Sequence, residues 1–272
     1  MIELAGTLVL AGAGKMGGAM LEGWLKGGAD PKKVVALDPA PPPEMKALLE
    51  SHGVRLNPPV EGITDAQVVV IAVKPQVMED VLPGLVSLKA SRPLILSVAA
   101  GKTIASFERH FGGDAAVIRT IPNTPAAVGR GITAMAANAH VSQAQLDLAR
   151  GLLSAVGEVV TVDDEALIDA VTAVSGSGPA YVFYLTECLA AAGEKVGLPA
   201  GLAMQLARAT VAGSGELMRA TGIPAATLRQ NVTSPKGTTY AALQILMAED
   251  GMQPLFDKAI DAATKRSREL AS

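Results

Sequence analysis

The chain has 272 residues, more than one α/β core usually accommodates, which suggests a large domain plus a smaller one. Hydrophobic residues make up 49% and charged residues 18%, enough apolar surface to exclude long disordered stretches. A formal charge of -3 with interspersed signs, and aromatics at 3%, exclude a nucleic-acid footprint, an anionic-membrane footprint and a base-stacking platform.

Residues Leu4 to Gly14 are mostly apolar, but no Lys or Arg precedes them and glycines punctuate them, so they read as a strand rather than a secretory signal. The first β-branched run, Leu8 to Leu10, leads directly into Gly12-Ala13-Gly14-Lys15-Met16-Gly17 and an amphipathic helix from Met16 to Lys26. A G-x-G-x-x-G between strand and helix is the setting in which that pattern points to a dinucleotide. Gly12 serves the tight turn, Gly14 lets the backbone approach a pyrophosphate, and Gly17 lets helix pack on strand. The phosphates then meet the N–H groups and positive end of the helix. The alternative is a glycine turn that merely connects two elements.

The next run, Val34 to Leu37, ends at Asp38, whose carboxylate is placed to accept hydrogen bonds from the adenosine ribose hydroxyls; a solvated turn residue is the alternative. No Arg follows in Pro39 to Pro43, which disfavours strict NADP dependence. A helix is expected over Glu44 to Ser51, then a strand from Val68 to Val73. Its end, Ala72-Val73-Lys74-Pro75-Gln76, faces the same crevice, because ligands of open α/β sheets lie beyond the carboxyl ends of strands. A helix over Val77 to Leu88, a strand over Leu94 to Val98, a helix over Ile104 to His110 and a strand over Val117 to Arg119 follow. The loop Ile121-Pro122-Asn123-Thr124-Pro125 is the second candidate to face the crevice, stiffened by its prolines around Asn123 and Thr124. A helix over Gln143 to Val156 and a strand over Val159 to Val162 complete the alternation. It implies an N-terminal Rossmann domain, a doubly wound parallel sheet, over residues 1–162.

Residues 163–272 read as an all-helical domain. Its longest uncharged stretch, Ala170 to Thr186, is broken by Ser-Gly-Ser-Gly-Pro at 175 to 179, which excludes one membrane-spanning helix. Pro179 opens a helix that Gly197 closes; others run from Pro199 to about Ala220, from Ala225, from Thr239 and from Pro254 to Leu270. The single cysteine, Cys188, lies in an apolar helical pattern and reads as a buried thiol in a reducing compartment, so the expected location is the cytoplasm. A bundle so poor in charge is expected to bury its spare apolar face against a second copy, as a homodimer assembling into a larger homo-oligomer. No metal site is expected, since no His/Cys/Asp/Glu cluster shows ligand spacing.

Over nearly its whole length the chain resembles pyrroline-5-carboxylate reductase, which reduces a cyclic imine to L-proline. The glycine fingerprint, Ala-Val-Lys-Pro-Gln at 72 to 76 and Pro-Asn-Thr-Pro at 122 to 125 carry part of the resemblance. More specific are Ser-Gly-Ser-Gly-Pro-Ala-Tyr at 175 to 181 and Thr-Ser-Pro-Lys-Gly-Thr-Thr at 233 to 239. It implies NADP(H) or NAD(H) as cofactor, with contacts from Gly12, Ala13, Gly14, Lys15, Met16, Gly17, Asp38, Ala72, Val73, Lys74, Pro75 and Asn123. It also implies a cyclic imino acid substrate at Ser175, Ser234, Gly237, Thr238 and Thr239. On spacing alone, the segment Ser234 to Thr239 is equally an anion site at a helix start or a Ser/Thr cap with nothing bound. The family usually has glycine where this chain has Lys236, which puts the loop geometry in question.

All three histidines, His52, His110 and His140, lie in the first half. An iminium carries its proton before hydride arrives, so its reduction needs orientation and exclusion of water rather than a positioned acid. Thr239 is then the hydroxyl expected nearest the ring nitrogen. Two other functions compete. A β-hydroxyacid dehydrogenase places a catalytic Lys on the helix after its glycine-rich segment, whereas Pro179 to Val196 has no Lys before Lys195. A non-catalytic NAD(P)H-binding regulatory protein needs no acid at all.

Overall fold

The computed structural model describes residues 2–271. The chain runs β1 (Thr7–Ala11), α1 (Lys15–Lys26), β2 (Val34–Leu37), α2 (Pro43–His52), β3 (Arg55–Leu56), β4 (Ala66–Ile71) and α3 (Met78–Leu85). It continues through β5 (Leu94–Ser97), α4 (Ile104–Phe111), β6 (Val117–Pro122), β7 (Gly131–Ala137), α5 (Gln143–Ser154) and β8 (Gly157–Thr161). Helices follow: α6 (Leu167–Val171), a π-helical turn over Thr172–Gly176, α7 (Gly178–Lys195), α8 (Ala200–Thr221), α9 (Ala225–Asn231), α10 (Thr238–Leu246) and α11 (Met252–Ala271).

The strands form one sheet in the order β3-β2-β1-β4-β5-β6-β7-β8. Its first six strands are parallel, in the arrangement of a dinucleotide-binding sheet, with the order reversing between β1 and β4. Period-two alternation sends their side chains to two separate cores. Leu8, Leu10, Val68, Val70 and Leu96 meet Met20, Leu21, Trp24, Leu152 and Leu153 of α1 and α5. Val9, Val69, Ile71, Ile95 and Val117 meet Met78, Leu82, Phe107 and Phe111 of α3 and α4. Burial on both faces explains why these strands read as unbroken apolar runs. Trp24 closes one layer, its indole N–H donating to Leu152 O at 2.8 Å.

Two strands escaped the sequence pattern. β3 is two residues long, and β7, Gly-Ile-Thr-Ala-Met-Ala-Ala, is carried by small residues with little β-branching. β7 pairs antiparallel with β6, and β8 pairs parallel with β7, so the doubly wound parallel sheet expected from the alternation is present with one antiparallel pairing near its edge. The link between β6 and β7 is a tight turn over Thr124–Val128, too short for the crossover that a parallel neighbour requires. The helix expected over Val77 to Leu88 is α3 alone, followed by a tighter turn over Val86–Ser91; Pro83 inside α3 brings no N–H to its ladder.

The chain divides into two compact units. One runs to Gly176 and takes back the chain from Ala263; the other is Ser177–Ala262. Against an expected boundary at 162/163, α6 and the π turn stay with the sheet, where Ile168 packs on Ile121, Ala134 and Ala136. In the second unit α7 and α8 lie close because Gly193 presents no side chain to Ala203; an added Cβ there would stand 3.3 Å from the Ala203 Cβ. Tyr181 meets Phe256 edge-on, ring centroids 6.5 Å apart. Within this single chain Val182, Phe183, Tyr184, Leu185 and Leu189 of α7 are exposed. Cys188 is exposed with them, which corrects the expected buried thiol: apolar composition did not reveal that only one side of α7 is covered by its own chain.

Candidate active site

The loops leaving β1, β2, β4 and β6 emerge at one end of the parallel strands, beside the reversal point where open α/β sheets bind ligands. Gly12 has φ +94, and a Cβ there would lie 2.9 Å from the Ala72 carbonyl and the Val73 nitrogen. At Gly17 a Cβ would stand 2.0 Å from Gly12 O and 3.1 Å from the Ala72 Cβ. Gly14 is different: it caps α1 with no side-chain hydrogen bond, and a Cβ there would meet nothing within 4 Å. α1 makes its first turn with Gly18 N–H donating to Gly14 O at 2.7 Å. The N–H groups of Lys15, Met16 and Gly17 come before that bond, at the positive end of the helix, and suit a diphosphate.

Not every loop N–H is available. That of Gly12 donates to Leu37 O at 2.8 Å, and that of Ala13 to Asp38 Oδ2 at 2.7 Å. Asp38 Oδ1 accepts from Ala40 N–H at 2.9 Å. The carboxylate therefore shapes the glycine loop, while each of its oxygens keeps a lone pair for a ribose hydroxyl. Asn57 was missed in the sequence. It holds the Asp38 backbone from both sides, Oδ1 accepting from Asp38 N–H at 2.8 Å and Nδ2 donating to Asp38 O at 2.7 Å. Its φ of +51 is the left-handed conformation that Asn tolerates, and the Asn57-Pro58 dipeptide was the available turn signal.

Lys74 is exposed and Pro75 starts the short turn that leads into α3. Just beyond, Glu79 ties α3 to the loop after β5: its Oε1 accepts from Lys102 Nζ at 2.7 Å, and its Oε2 lies 3.2 Å from His110 Nε2. The Lys102 ammonium chiefly, then His110, holds the Glu79 carboxyl below the ordinary carboxylate range.

After β6, Asn123 is buried and works as a brace, accepting from Ile132 N–H at 2.9 Å and donating to Ser175 O at 3.2 Å. Ser175 lies in the π turn, a distortion common at functional sites, with its hydroxyl donating to Val171 O at 3.1 Å. Arg119, also missed as more than a strand end, is buried in β6 and donates to Glu165 Oε1 at 2.9 Å, so the segment leading to Ser175 is pinned to the sheet. A charge inside an otherwise apolar strand was its signal. Among the described residues no group of three or more His, Cys, Asp or Glu is placed to hold a metal ion, and no helix is long and apolar enough to cross a membrane.

Ser234, Gly237, Thr238 and Thr239 belong to the second unit. Gly237 caps α10, but its N–H donates to Ser234 O at 3.0 Å, so it is not open to an anion, contrary to expectation. The N–H groups of Thr238 and Thr239 begin the helix, and the hydroxyls of Ser234, Thr238 and Thr239 have no partner within the described chain. Lys236 has φ +62. Its left-handed backbone costs a side chain about 1–2 kcal/mol, from which the greater freedom of unfolded glycine subtracts about 0.5–1 kcal/mol. Lys236→Gly is therefore expected to raise the unfolding free energy by about 0.5–1 kcal/mol. Urea titration checks this, and a lower midpoint would contradict strain at that position.

Residues 7–101 match the family model described as NADP oxidoreductase coenzyme F420-dependent, and residues 165–270 match the one described as pyrroline-5-carboxylate reductase dimerisation. The pyrroline-5-carboxylate reductase of Pseudomonas aeruginosa is 41% identical over 264 residues, covering 97% of this chain and 96% of its own. That of Synechocystis is 45% identical over 224 residues, 82% of each chain. Among solved structures, a pyrroline-5-carboxylate reductase from Coxiella burnetii superposes with a TM-score of 0.91 at 33% identity, covering 99% of this chain and 100% of the other. The Plasmodium falciparum pyrroline carboxylate reductase with NADP bound gives 0.81 at 26% identity over 98% and 99%. With its nucleotide loop, its helical second unit and likeness of this extent along almost all its length, the chain belongs to the pyrroline-5-carboxylate reductase family.

Proposed function

We propose that the protein reduces 1-pyrroline-5-carboxylate to L-proline with NAD(P)H, the last step of proline biosynthesis. The observation that carries this is family membership across both units of the chain. Bound NAD(P)H supplies the hydride. The uncapped start of α1 holds its diphosphate, with Gly14 leaving the approach open and Asp38 near the adenosine ribose.

On the substrate side, the Thr238 and Thr239 N–H groups and the Ser234 and Thr238 hydroxyls bind the ring carboxylate. The Thr239 hydroxyl orients the ring nitrogen or relays its proton. Because the iminium nitrogen is already protonated, orientation of the carbon and exclusion of water account for catalysis without a histidine. The exposed apolar face of α7 supports a homodimer that assembles further, and the lone cysteine, which can form no internal disulfide, supports a cytoplasmic location.

The direct test is to add the five-membered imino acid to purified protein with NADH and NADPH in parallel. Oxidation of either cofactor supports the proposal; inertness with both ends it. In the same assay Thr239→Ala should lower kcat by about 10- to 100-fold with NAD(P)H affinity unchanged, and Thr239→Ser should restore much of it. Equal turnover in the Ala variant would remove Thr239 from the chemistry.

A further inference from the structure

At the end of the sheet opposite the nucleotide loops lies a cavity of about 500 Å³. Lys89 and Arg92 precede β5, Asp114 precedes β6, and His140 follows β7. Because β7 runs antiparallel to β6, all three connections reach this one end. Gly12, Asp38, Lys74 and Asn123 leave from the other.

We infer that this cavity binds a small organic anion bearing a phosphate or several carboxylates. The side chains of Lys89, Arg92 and His140 all line it, and none has a hydrogen-bond or ion-pair partner within the described chain. Asp114 is the one carboxylate in the lining and is unpaired as well, so two fixed positive charges and an imidazole stand against one negative charge. The floor is apolar, made by buried Ile95, Phe111 and Ala116. Gln145 lines it too; it belongs to the capping box with Ser142 that opens α5, so the positive end of a twelve-residue helix adjoins the basic side chains. Arg92 holds φ +49, a backbone state that an Arg adopts only at a cost. Arg presents a planar pair of donors matched to phosphate or carboxylate, and the cavity's volume is in the range of small-molecule sites.

The test is calorimetric titration of the protein saturated with NAD(P)H, so that the nucleotide loop is filled, using inorganic phosphate in one arm and citrate in the other. At least one should bind saturably, one per chain, and the responding arm identifies the anion class. The double variant Lys89→Ala, Arg92→Gly should weaken that binding by about tenfold or more; glycine suits the left-handed position, so folding is retained. Arg92→Lys should keep most of the affinity. A parallel melting experiment should show the anion raising the Tm of the parent and not of the double variant. Turnover without added anion should be the same in both. Failure of both anions to bind, or a double variant that binds as tightly as the parent, overturns the inference.

Discussion

Gly17→Ala should unfold the nucleotide end of the protein, whereas Gly14→Ala, three residues away on the same loop, should fold normally and lose cofactor. A methyl group at Gly17 would stand 2.0 Å from Gly12 O, which is backbone at the end of β1 and has nowhere to go, since Gly12 is itself pressed against Ala72. To relieve the contact α1 must lift from the sheet, pulling Met20, Leu21 and Trp24 from their core. Overpacking of this kind costs about 3 kcal/mol or more where backbone cannot shift. At Gly14 a methyl group meets no protein atom, and φ is -72, so alanine fits the free protein. It occupies the space where the diphosphate must approach, and NADH affinity should drop by about tenfold or more. Urea unfolding separates the two variants from the parent, and fluorescence titration with NADH measures the binding. A Gly14→Ala protein with undiminished affinity would mean that the cofactor does not pass over this loop.

Removing the substrate carboxylate should cost far more in kcat/KM than Gly14→Ala costs in cofactor affinity. 1-Pyrroline, which keeps the imine and lacks the acid, should be reduced with kcat/KM lower by about 10⁴-fold, since a site built around a polar group leaves its donors unpaired when that group is missing. The proposed donors are the Thr238 and Thr239 N–H groups opening α10 and the hydroxyls of Ser234 and Thr238, none of which has a partner among the described residues. Steady-state assays on the two imines, at equal NAD(P)H, make the comparison. Comparable kcat/KM values would show that the Ser234 to Thr239 segment does not read the carboxylate.

Much of the nucleotide half was legible, because its signals are local. A strand, a glycine turn and a helix follow one another within about twenty residues, and their order names the loop without knowledge of anything distant. Asp38 was found by its distance from that loop, yet its grip on Ala13 was not, since a hydrogen bond across 25 residues leaves no periodic trace. Asn57 and the Arg119–Glu165 pair went unseen for the same reason. In the second unit, helices were legible from their prolines and glycines, while the loss of the Gly237 N–H to Ser234 depended on how one turn closed.

By itself, then, the order of residues determined the alternation of strands and helices, the positions at which only hydrogen fits beside the backbone, and the motifs that place the chain in its family. Tertiary structure decided that β7 turns back on β6, that Lys236 takes a left-handed backbone, that Cys188 lies exposed with the apolar side chains of α7, and that Lys89, Arg92 and His140 gather around one cavity. The division has a physical cause. Backbone propensity and side-chain period act over a few residues and are written along the chain, whereas burial, pairing direction and charge neighbours depend on which distant segments the folded sheet brings together.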